Sequence, residues 1–276
     1  AMGDLGYTGS LNDRIHAFLT ANYGSFYEAM RDLRNGTSVF ALYAVNTLIP
    51  PLVLDFKLNT YKKENVLTTL SSAVTHARAS SATMTNSSGV LVTVGNNVPR
   101  TGHHIYNGST WVNEGILHES EARTNLLLNS GTLSTQNVTV SATPYTLSFT
   151  GTGTVTLTGV STAGPLVGTG TGENNRVNLT FTPTAGTLTL TVSGTVTNAQ
   201  AELGSTPSSY IPTSGSTATR AAETLTVPAA NLPYSSTNMS TQMDGRMTYT
   251  DNDIFPTTQG VFGEVSFFFW LNTDLL

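Results

Sequence analysis

The middle of the chain alternates apolar and polar residues with the period of a β-strand. Within residues 121–223 the alternation is strict in four runs, at 145–149, 154–158, 176–181 and 187–192. A period of two places one face of a strand in a core and leaves the other in water. Most polar positions hold threonine, whose branched side chain suits a pleated sheet. We therefore predict a mainly β protein built around a jelly-roll-like antiparallel β-sandwich, with hydroxyl groups facing solvent.

The alternation changes phase once, near Asn198. Val196 is followed by apolar residues at Ala199 and Ala201, so the apolar set shifts by one position. An extra residue in one strand of an antiparallel pair has this effect, and the pattern predicts a β-bulge or bend at Asn198.

A helical pattern precedes the strands. Ser10 and Asp13, and then Ser25 and Glu28, have the spacing of two capping boxes, and apolar residues follow each box at helical intervals. Two short helices of about 26 residues in total cannot bury enough surface to be stable alone. We expect them to anchor the chain to another domain, another copy or another protein through seven apolar residues: Leu11, Ile15, Phe18, Leu19, Phe26, Met30 and Leu33.

Changes in composition divide the chain into four parts. We expect a helical anchor module at 1–36, an extended connector at 37–60, the β-sandwich at 61–230 and the start of a second β domain at 231–276. A segment rich in Gly, Pro, Ser and Thr at 204–232 marks the last boundary, and two more strands are predicted at 243–249 and 261–271. Because the second of these would leave an apolar edge, we expect the natural protein to continue beyond residue 276.

Charge and composition exclude several classes of function. Only 11% of the residues are charged, against roughly 25% in ordinary globular domains. The net charge is −5 and Lys62 and Lys63 are the only adjacent cations, which argues against binding of nucleic acid. Cysteine is absent, which excludes disulfides and thiolate metal sites. The most apolar stretch, 39–56, is interrupted by polar residues and prolines, so no membrane span is predicted.

Three motifs have a chemical and a plain interpretation. The glycines of 168–172 lack the following helix of a phosphate-binding loop and predict a turn. His103, His104 and His118 lack the spacing of a closed metal site and are interpreted as loop histidines. We expect no cofactor, although a structural Ca²⁺ at 251–253 or near Glu173 stays open as an alternative.

One pair of carboxylates could in principle serve catalysis. Glu119 and Glu121 are two residues apart and would lie on the same face of a strand. Glycoside cleavage uses two carboxyl groups that lie close together, one as acid and one as base. Arg123 follows on that face, however, and we favour a structural ion pair with Glu121. No nucleophile motif is present. We therefore predict that the chain is not an enzyme.

Candidate saccharide contacts lie next to the predicted bulge. Gln200 and Glu202 would share one face of a strand and offer amide and carboxylate groups, and Tyr145 or Tyr210 could stack on a sugar ring. The alternative is that Gln200 and Glu202 are solvent-facing strand residues and that Tyr210 lies in a core.

A series of short strings, in order along the chain, carries a family resemblance. The strings are Leu54-Asp-Phe56, His76-Ala-Arg-Ala-Ser80, Asn86-Ser-Ser-Gly-Val90, Asn97-Val-Pro-Arg100, Gly115-Ile-Leu-His-Glu-Ser-Glu-Ala-Arg-Thr-Asn-Leu-Leu127, Asn198-Ala-Gln-Ala-Glu-Leu-Gly204, Ser209-Tyr-Ile-Pro-Thr213 and Thr219-Arg-Ala-Ala222. Over residues 54–230 this series resembles carbohydrate-binding-module-like domains of bacteriophage tail-fibre, tail and head-spike proteins. Residues 244–270 are similar to the opening of a lectin-like sandwich.

The resemblance implies a location and a role. It implies a structural protein of the virion, of fibre or spike type, attached by its N-terminus and projecting a sandwich that binds host surface glycans. It also implies other virion proteins as partners and a homo-oligomer, with a trimer favoured; head or tail stays open. Two alternatives remain: an architectural protein without a ligand, and a polysaccharide-degrading enzyme whose catalytic part lies elsewhere. Where relatives carry aromatic residues after the Asn-Leu-Leu string, this chain has Gly131-Thr-Leu-Ser-Thr135.

Overall fold

The computed structural model describes residues 52–64 and 66–232 fully, and the backbone of two further strands at 238–245 and 265–272. The chain divides into two compact units, residues 1–53 and 54–276. The predicted helical pair and its seven anchoring residues lie outside the described residues, and so do residues 251–253. The division into a sandwich at 61–230 and a second domain after it stays a prediction.

The described part of the chain is mainly β, as the alternation predicted. One short helix, α1, spans Leu70–Ala73, and 3-10 turns span Glu173–Asn175 and Ala229–Asn231. The strands are β1 Leu52–Asp55, β2 Thr60–Lys63, β3 Val66–Thr68, β4 Thr75–Ala77, β5 Ala82–Thr85, β6 Leu91–Val94, β7 Arg100–Tyr106, β8 Trp111–Leu117, β9 Arg123–Asn125, β10 Gln136–Val140, β11 Tyr145–Gly151, β12 Thr154–Gly159, β13 Leu166–Val167, β14 Val177–Phe181, β15 Gly186–Ser193, β16 Val196–Leu203, β17 Ala218–Arg220, β18 Thr224–Thr226, β19 Asn238–Gly245 and β20 Val265–Asn272.

Two antiparallel sheets form the sandwich. One has the strand order β10-β15-β12-β13 and the other β14-β11-β16. Every connection from β10 to β16 passes from one sheet to the other except the one joining β12 and β13. A single hydrophobic cluster draws side chains from both sheets, among them Leu147, Phe149, Val155, Leu157, Leu188 and Leu190. These are the apolar positions of the alternating runs, so the period of two located the core correctly.

Strand β11 departs from the prediction that hydroxyl groups face water. Both of its faces are buried: Leu147 and Phe149 enter the hydrophobic cluster, while Thr146, Ser148 and Thr150 are at most 2% exposed on the other face. The Thr146 hydroxyl donates to the carbonyl of Gly204 at 2.8 Å. The prediction was wrong for this strand because β11 is the central strand of its sheet and residues from 204 onward cover its outer face.

The predicted bulge at Asn198 is confirmed. Along β11 and β16, Ser148 pairs with Gln200 but Thr150 pairs with Thr197, so β16 contains one extra residue. Asn198 has φ of +47°. Asparagine tolerates this left-handed conformation better than most residues do.

A set of small pairings joins residues from both ends of the described segment. Hairpins form from β2 and β3, from β5 and β6, and from β7 and β8. The late strands β17 and β18 return to pair with β9 and β4, respectively. The last two strands, β19 and β20, pair with each other. The return of β17 and β18 brings residues 218–226 beside residues 75–125, where the polar side chains of the next section meet.

Candidate functional site

Five charged side chains converge in the interior where β4, β7, β17 and β18 come together. We call them the arginine–glutamate cluster, and all are buried: Arg78, Arg100, Arg220, Glu119 and Glu223. Three guanidinium groups therefore share two carboxylates. Burial of ions is costly unless each is paired and hydrogen-bonded, so the details of the bonding decide whether such a cluster is stable.

Glu223 lies at the centre of the cluster. Arg100 donates to it in a bidentate arrangement, from Nε to Oε1 at 3.0 Å and from a terminal nitrogen to Oε2 at 2.7 Å. Arg78 donates to Oε1, and the backbone N–H of Glu119 donates to Oε2 at 2.8 Å. Burial raises the pKa of Glu223, but the hydrogen bonds and charge of Arg100, with the help of Arg78, lower that pKa to about 2.

Glu119 connects the cluster to the loop that follows β16. It accepts from Arg100 at 2.7 Å and forms an ion pair with Arg220 at 3.1 Å. Ser209 donates to it twice, from its backbone at 2.8 Å and from its hydroxyl at 2.6 Å. Burial raises the pKa of Glu119, yet Arg220, Arg100 and Ser209 together lower it. The carboxylate of Glu119 is thus ionised and held in place by these arginines and by Ser209.

This arrangement corrects the expectation for the two early carboxylates. Strand β8 ends at Leu117 and β9 begins at Arg123, so Glu119 and Glu121 lie in a loop and not on one strand face. The predicted ion pair between Arg123 and Glu121 is confirmed at 2.9 Å. Glu119 is instead held by arginines remote in sequence.

A second buried network continues from the cluster towards the sandwich. The amide of Asn125 donates to the carbonyls of Ala199 and Ile211 at 2.9 and 2.8 Å. The Thr213 hydroxyl donates to the carbonyl of Leu127 at 2.7 Å. These bonds fasten the loop after β16 to the start of the sandwich.

The four predicted saccharide-binding residues belong to this interior. Gln200 and Glu202 are 0% exposed, and Tyr145 and Tyr210 are 7% exposed. Gln200 accepts from the backbone of Ile211 at 2.6 Å, and its amide donates to Glu202 at 2.5 Å. The alternative placement of Tyr210 in a core is therefore confirmed, whereas the alternative of solvent-facing Gln200 and Glu202 was wrong. Saccharide binding by these four residues stays a prediction: all four are largely buried, and only Tyr210 among them lines the groove described below.

Glu202 has a pKa raised by its burial. Bonds from Ser208, at 2.7 Å from the backbone and 2.6 Å from the hydroxyl, oppose this rise without cancelling it. Tyr210 contacts Arg176, whose guanidinium lies 5.5 Å from the ring centroid. The ring of Tyr145 stacks on that of Phe181 at an interplanar angle of 27°, with the ring centroids 6.3 Å apart.

The strings of the resemblance meet in these two networks. Five side chains or backbone groups from five different strings belong to one connected series of hydrogen bonds, in which Glu223 links the first two: Arg78, Arg100, Glu119, Ser209 and Gln200. In this chain the strings therefore build a buried polar framework. We did not predict a role for Glu223 from the sequence. The available signal was the scarcity of charged residues, which makes any charged residue in a threonine-rich strand region unusual.

The histidines and the glycine run have ordinary structural roles. His103 and His104 lie within β7, which corrects their expected place in a loop. Burial lowers the pKa of His103 to about 4, with Arg100 adding to the effect, and its Nδ1 accepts from the backbone of Thr85 at 3.3 Å.

The glycine run at 168–172 is followed by the 3-10 turn Glu173–Asn175 and not by an α-helix, as predicted. Among the described residues, no group of three or more acidic or histidine side chains is arranged to hold a metal.

An open groove lies beside the β5–β6 hairpin. Its volume is about 480 Å³, within the roughly 300–1,000 Å³ typical of ligand sites. The hairpin forms one wall, and the Glu173 turn, the Asn198 bulge and the segment 210–212 form the other. A pair of aromatic rings, Tyr106 and Trp111, stands at the end of the neighbouring β7–β8 hairpin with centroids 5.4 Å apart. The sequence pattern singled out Tyr210 of its lining but did not indicate the groove itself, because the two walls are far apart along the chain.

No protein-family model, curated protein or solved structure matches this chain. Its class is therefore defined by its fold, an antiparallel, mainly β protein. Within the part that the structure describes, no helix has the length and apolar character needed to cross a membrane.

Proposed function

We propose that this chain is a structural protein of a bacteriophage particle, of the tail-fibre or head-spike type, and that its β-sandwich contacts glycans of the host surface. The resemblance of the ordered strings motivates this proposal. The observation that carries it is an open groove on a charge-poor, hydroxyl-rich β scaffold. Such a surface suits a ligand recognised through hydroxyl groups and apolar ring faces. The proposal assigns no catalytic activity to the chain.

The scaffold is well suited to hold a groove in a constant shape. The arginine–glutamate cluster joins β-strands separated by more than 100 residues, as the bonds from Arg78 and Arg100 to Glu223 illustrate. A binding surface on rigid elements loses less conformational entropy when a ligand binds. Projecting several such surfaces from one particle would raise the effective affinity of weak individual sites.

Attachment to the particle is assigned to residues 1–36. The seven apolar residues of the predicted helical pair would contact other virion proteins or sister copies, with a trimer favoured.

Incorporation into the particle tests this assignment. Phage carrying the full chain and phage carrying a chain without residues 1–36 are purified, and the amount of the protein in each is measured by mass spectrometry. We expect the full chain in the particles and at least a tenfold loss of the shortened one. Absence of the full chain from purified particles would overturn the virion assignment.

Glycan contact is tested separately with the full chain. It is applied to immobilised polysaccharides from the host surface and to a panel of defined oligosaccharides. Saturable binding to at least one of them is the expected result. A full chain that is incorporated into particles and binds no saccharide removes the adhesive part of the proposal and leaves the structural part standing.

The second candidate is an architectural protein without a ligand. The observation that favours it is the burial of the four side chains that we predicted from the sequence to contact a saccharide: Gln200, Glu202, Tyr145 and Tyr210. Under this hypothesis the sandwich is a spacer. Normal particle assembly together with unchanged adsorption of phage that lack residues 54–276 would support it.

A further inference from the structure

The end of the β7–β8 hairpin exposes two aromatic rings. Tyr106 and Trp111 are paired across the hairpin, their ring planes are inclined at 52°, and Tyr106 is 40% exposed. Aromatic side chains combine a broad apolar face with a polar group at the edge. Tyr106 and the partly exposed Trp111 therefore offer an apolar ring surface to a ligand.

This aromatic pair borders the groove. The indole of Trp111 packs directly on Gly89, and Gly89 itself lines the groove. Gly89 has φ of +76°, and a Cβ atom at this position would overlap the indole ring. Glycine is therefore required here twice, for the backbone conformation and for the close approach of Trp111. Through Gly89 the aromatic pair adjoins the groove, although neither ring lines it.

The groove supplies hydrogen-bonding groups beside the rings. Thr93 on the hairpin wall is exposed, and Asn198 on the opposite wall is partly exposed. Glu173 adds a carboxylate at the rim. Side-chain hydroxyl, amide and carboxylate groups around an apolar floor are the combination that binds polyhydroxylated rings, whose C–H faces are apolar and whose edges are polar.

The charge of the groove favours one class of saccharide. Of the described residues that line it, Glu173 alone is charged, and Arg176 donates to both of its carboxylate oxygens, at 2.8 and 3.1 Å. Arg176 is further committed to the hydroxyl of Ser148 and the carbonyl of Asn198. An acidic saccharide would therefore be desolvated beside an ion pair and would find no uncommitted cation among the described lining residues, which costs binding energy.

We propose that Tyr106, Trp111 and the adjoining groove form a binding site for a neutral oligosaccharide, with a sugar ring on the aromatic pair and the chain continuing between Thr93 and Asn198. This inference rests on the proposed glycan-binding function and names its site and its ligand class. Of the four residues predicted from sequence, Tyr210 lines this groove, whereas Tyr145, Gln200 and Glu202 do not.

The experiment compares variants of the full chain on a panel of neutral and uronic-acid-containing oligosaccharides. Tyr106→Ala removes one exposed ring, and Thr93→Trp fills the groove from an exposed position of β6. Val167→Ala is the matched control, because it also removes exposed apolar surface but lies outside the groove. Circular dichroism and urea unfolding of each variant verify that the fold is retained.

We expect the wild type and Val167→Ala to bind a neutral oligosaccharide equally, and Tyr106→Ala and Thr93→Trp to bind it about tenfold more weakly or not at all. If folded Tyr106→Ala and Thr93→Trp both bind like the wild type, the site is wrong while the glycan-binding function stands. If the wild type prefers acidic saccharides, the assigned ligand class is wrong. If the wild type binds no saccharide, the function on which this inference rests is itself overturned.

Discussion

Glu223 shows how a single residue holds together distant parts of the chain. Its carboxylate accepts hydrogen bonds from Arg78, Arg100 and the backbone of Glu119, so its negative charge is shared among donors that are themselves buried. A buried ion pair gains little over apolar packing, but removal of one partner leaves the other charges uncompensated. The cluster is therefore sensitive to loss of either carboxylate.

We predict that Glu223→Gln lowers the free energy of unfolding by roughly 3–5 kcal/mol, since Arg78 and Arg100 then lack a buried counter-charge. Urea denaturation followed by circular dichroism measures this loss. The control is Glu121→Gln, which breaks the ion pair between Arg123 and the largely exposed Glu121 and should cost about 1 kcal/mol or less. Equal losses in the two variants would contradict the role assigned to the cluster.

The lowered pKa of Glu223 makes the stability of the fold depend on pH in the acid range. It lies near 2 in the folded protein, below the ordinary value of 4.5, so folding favours the ionised form. The stabilisation is complete above about pH 4.5 and is lost as the pH falls towards 2, because the unfolded chain then binds a proton that the folded chain does not. We expect wild-type stability to fall steeply across this interval, and Glu223→Gln to show a smaller slope there in urea unfolding at successive pH values.

His103 affects the stability of the fold over a different pH interval. Its pKa is about 4 in the folded state against 6.5 ordinarily, so the folded protein keeps the ring neutral. Its contribution is complete above about pH 6.5 and is lost as the pH falls through 4, because the unfolded chain takes up the proton first. We predict that His103→Gln flattens the dependence of stability on pH between 6.5 and 4. Retention of the wild-type slope in this variant would show that another group is responsible.

At the scale of elements, the bulge in β16 links the strand pattern to the groove. Asn198 occupies a left-handed conformation, and the extra residue lets Val196 and Ala199 both enter the hydrophobic cluster. The same residue lines the groove. The bulge thus keeps the core face apolar on both sides of Asn198 while turning a polar residue towards solvent.

We predict that Asn198→Gly leaves stability within about 0.5 kcal/mol of the wild type, whereas Asn198→Val lowers it by about 1–2 kcal/mol, because a β-branched residue is strained at positive φ. Thermal and urea unfolding of both variants provide the measurement. The glycine variant serves as the control for loss of the amide. Equal stability of the two variants would mean that the bulge relaxes to an ordinary strand.

At the scale of the molecule, the fold is closed by residues that come late in the chain. Strands β17 and β18 pair with β9 and β4, and the segment after β16 covers the outer face of β11. Arg220 and Glu223 then complete the buried cluster with Arg78, Arg100 and Glu119. The sandwich strands therefore depend on a segment that is itself poor in regular structure.

We predict that a chain ending at Leu232 retains the β-sheet circular dichroism spectrum and a cooperative unfolding transition, whereas a chain ending at Gly204 has neither. The shorter chain keeps every sandwich strand through β16 but leaves Arg78, Arg100 and the polar face of β11 without partners. Cooperative unfolding of the shorter chain would contradict the view that residues 205–232 complete the fold.

The sequence by itself determined the local features of this protein. Strands β11, β12, β14, β15 and β16 and the bulge at Asn198 were predicted because side-chain direction in a strand alternates with every residue, so the pattern reports the local backbone directly. The lack of an α-helix directly after residues 168–172 and the ion pair between Glu121 and Arg123 were likewise predictable from neighbours in sequence, whereas Gly170 forms a bridge with Gly151 in place of the predicted turn. Only the tertiary structure decided which polar faces are covered. Period two separates two faces but does not reveal that residues after 204 lie over β11, that Gln200 and Glu202 are interior, or that Glu223 meets Arg78 and Arg100. Those contacts, and the groove beside Trp111, join segments remote in sequence, and their positions follow from the packing of the whole chain.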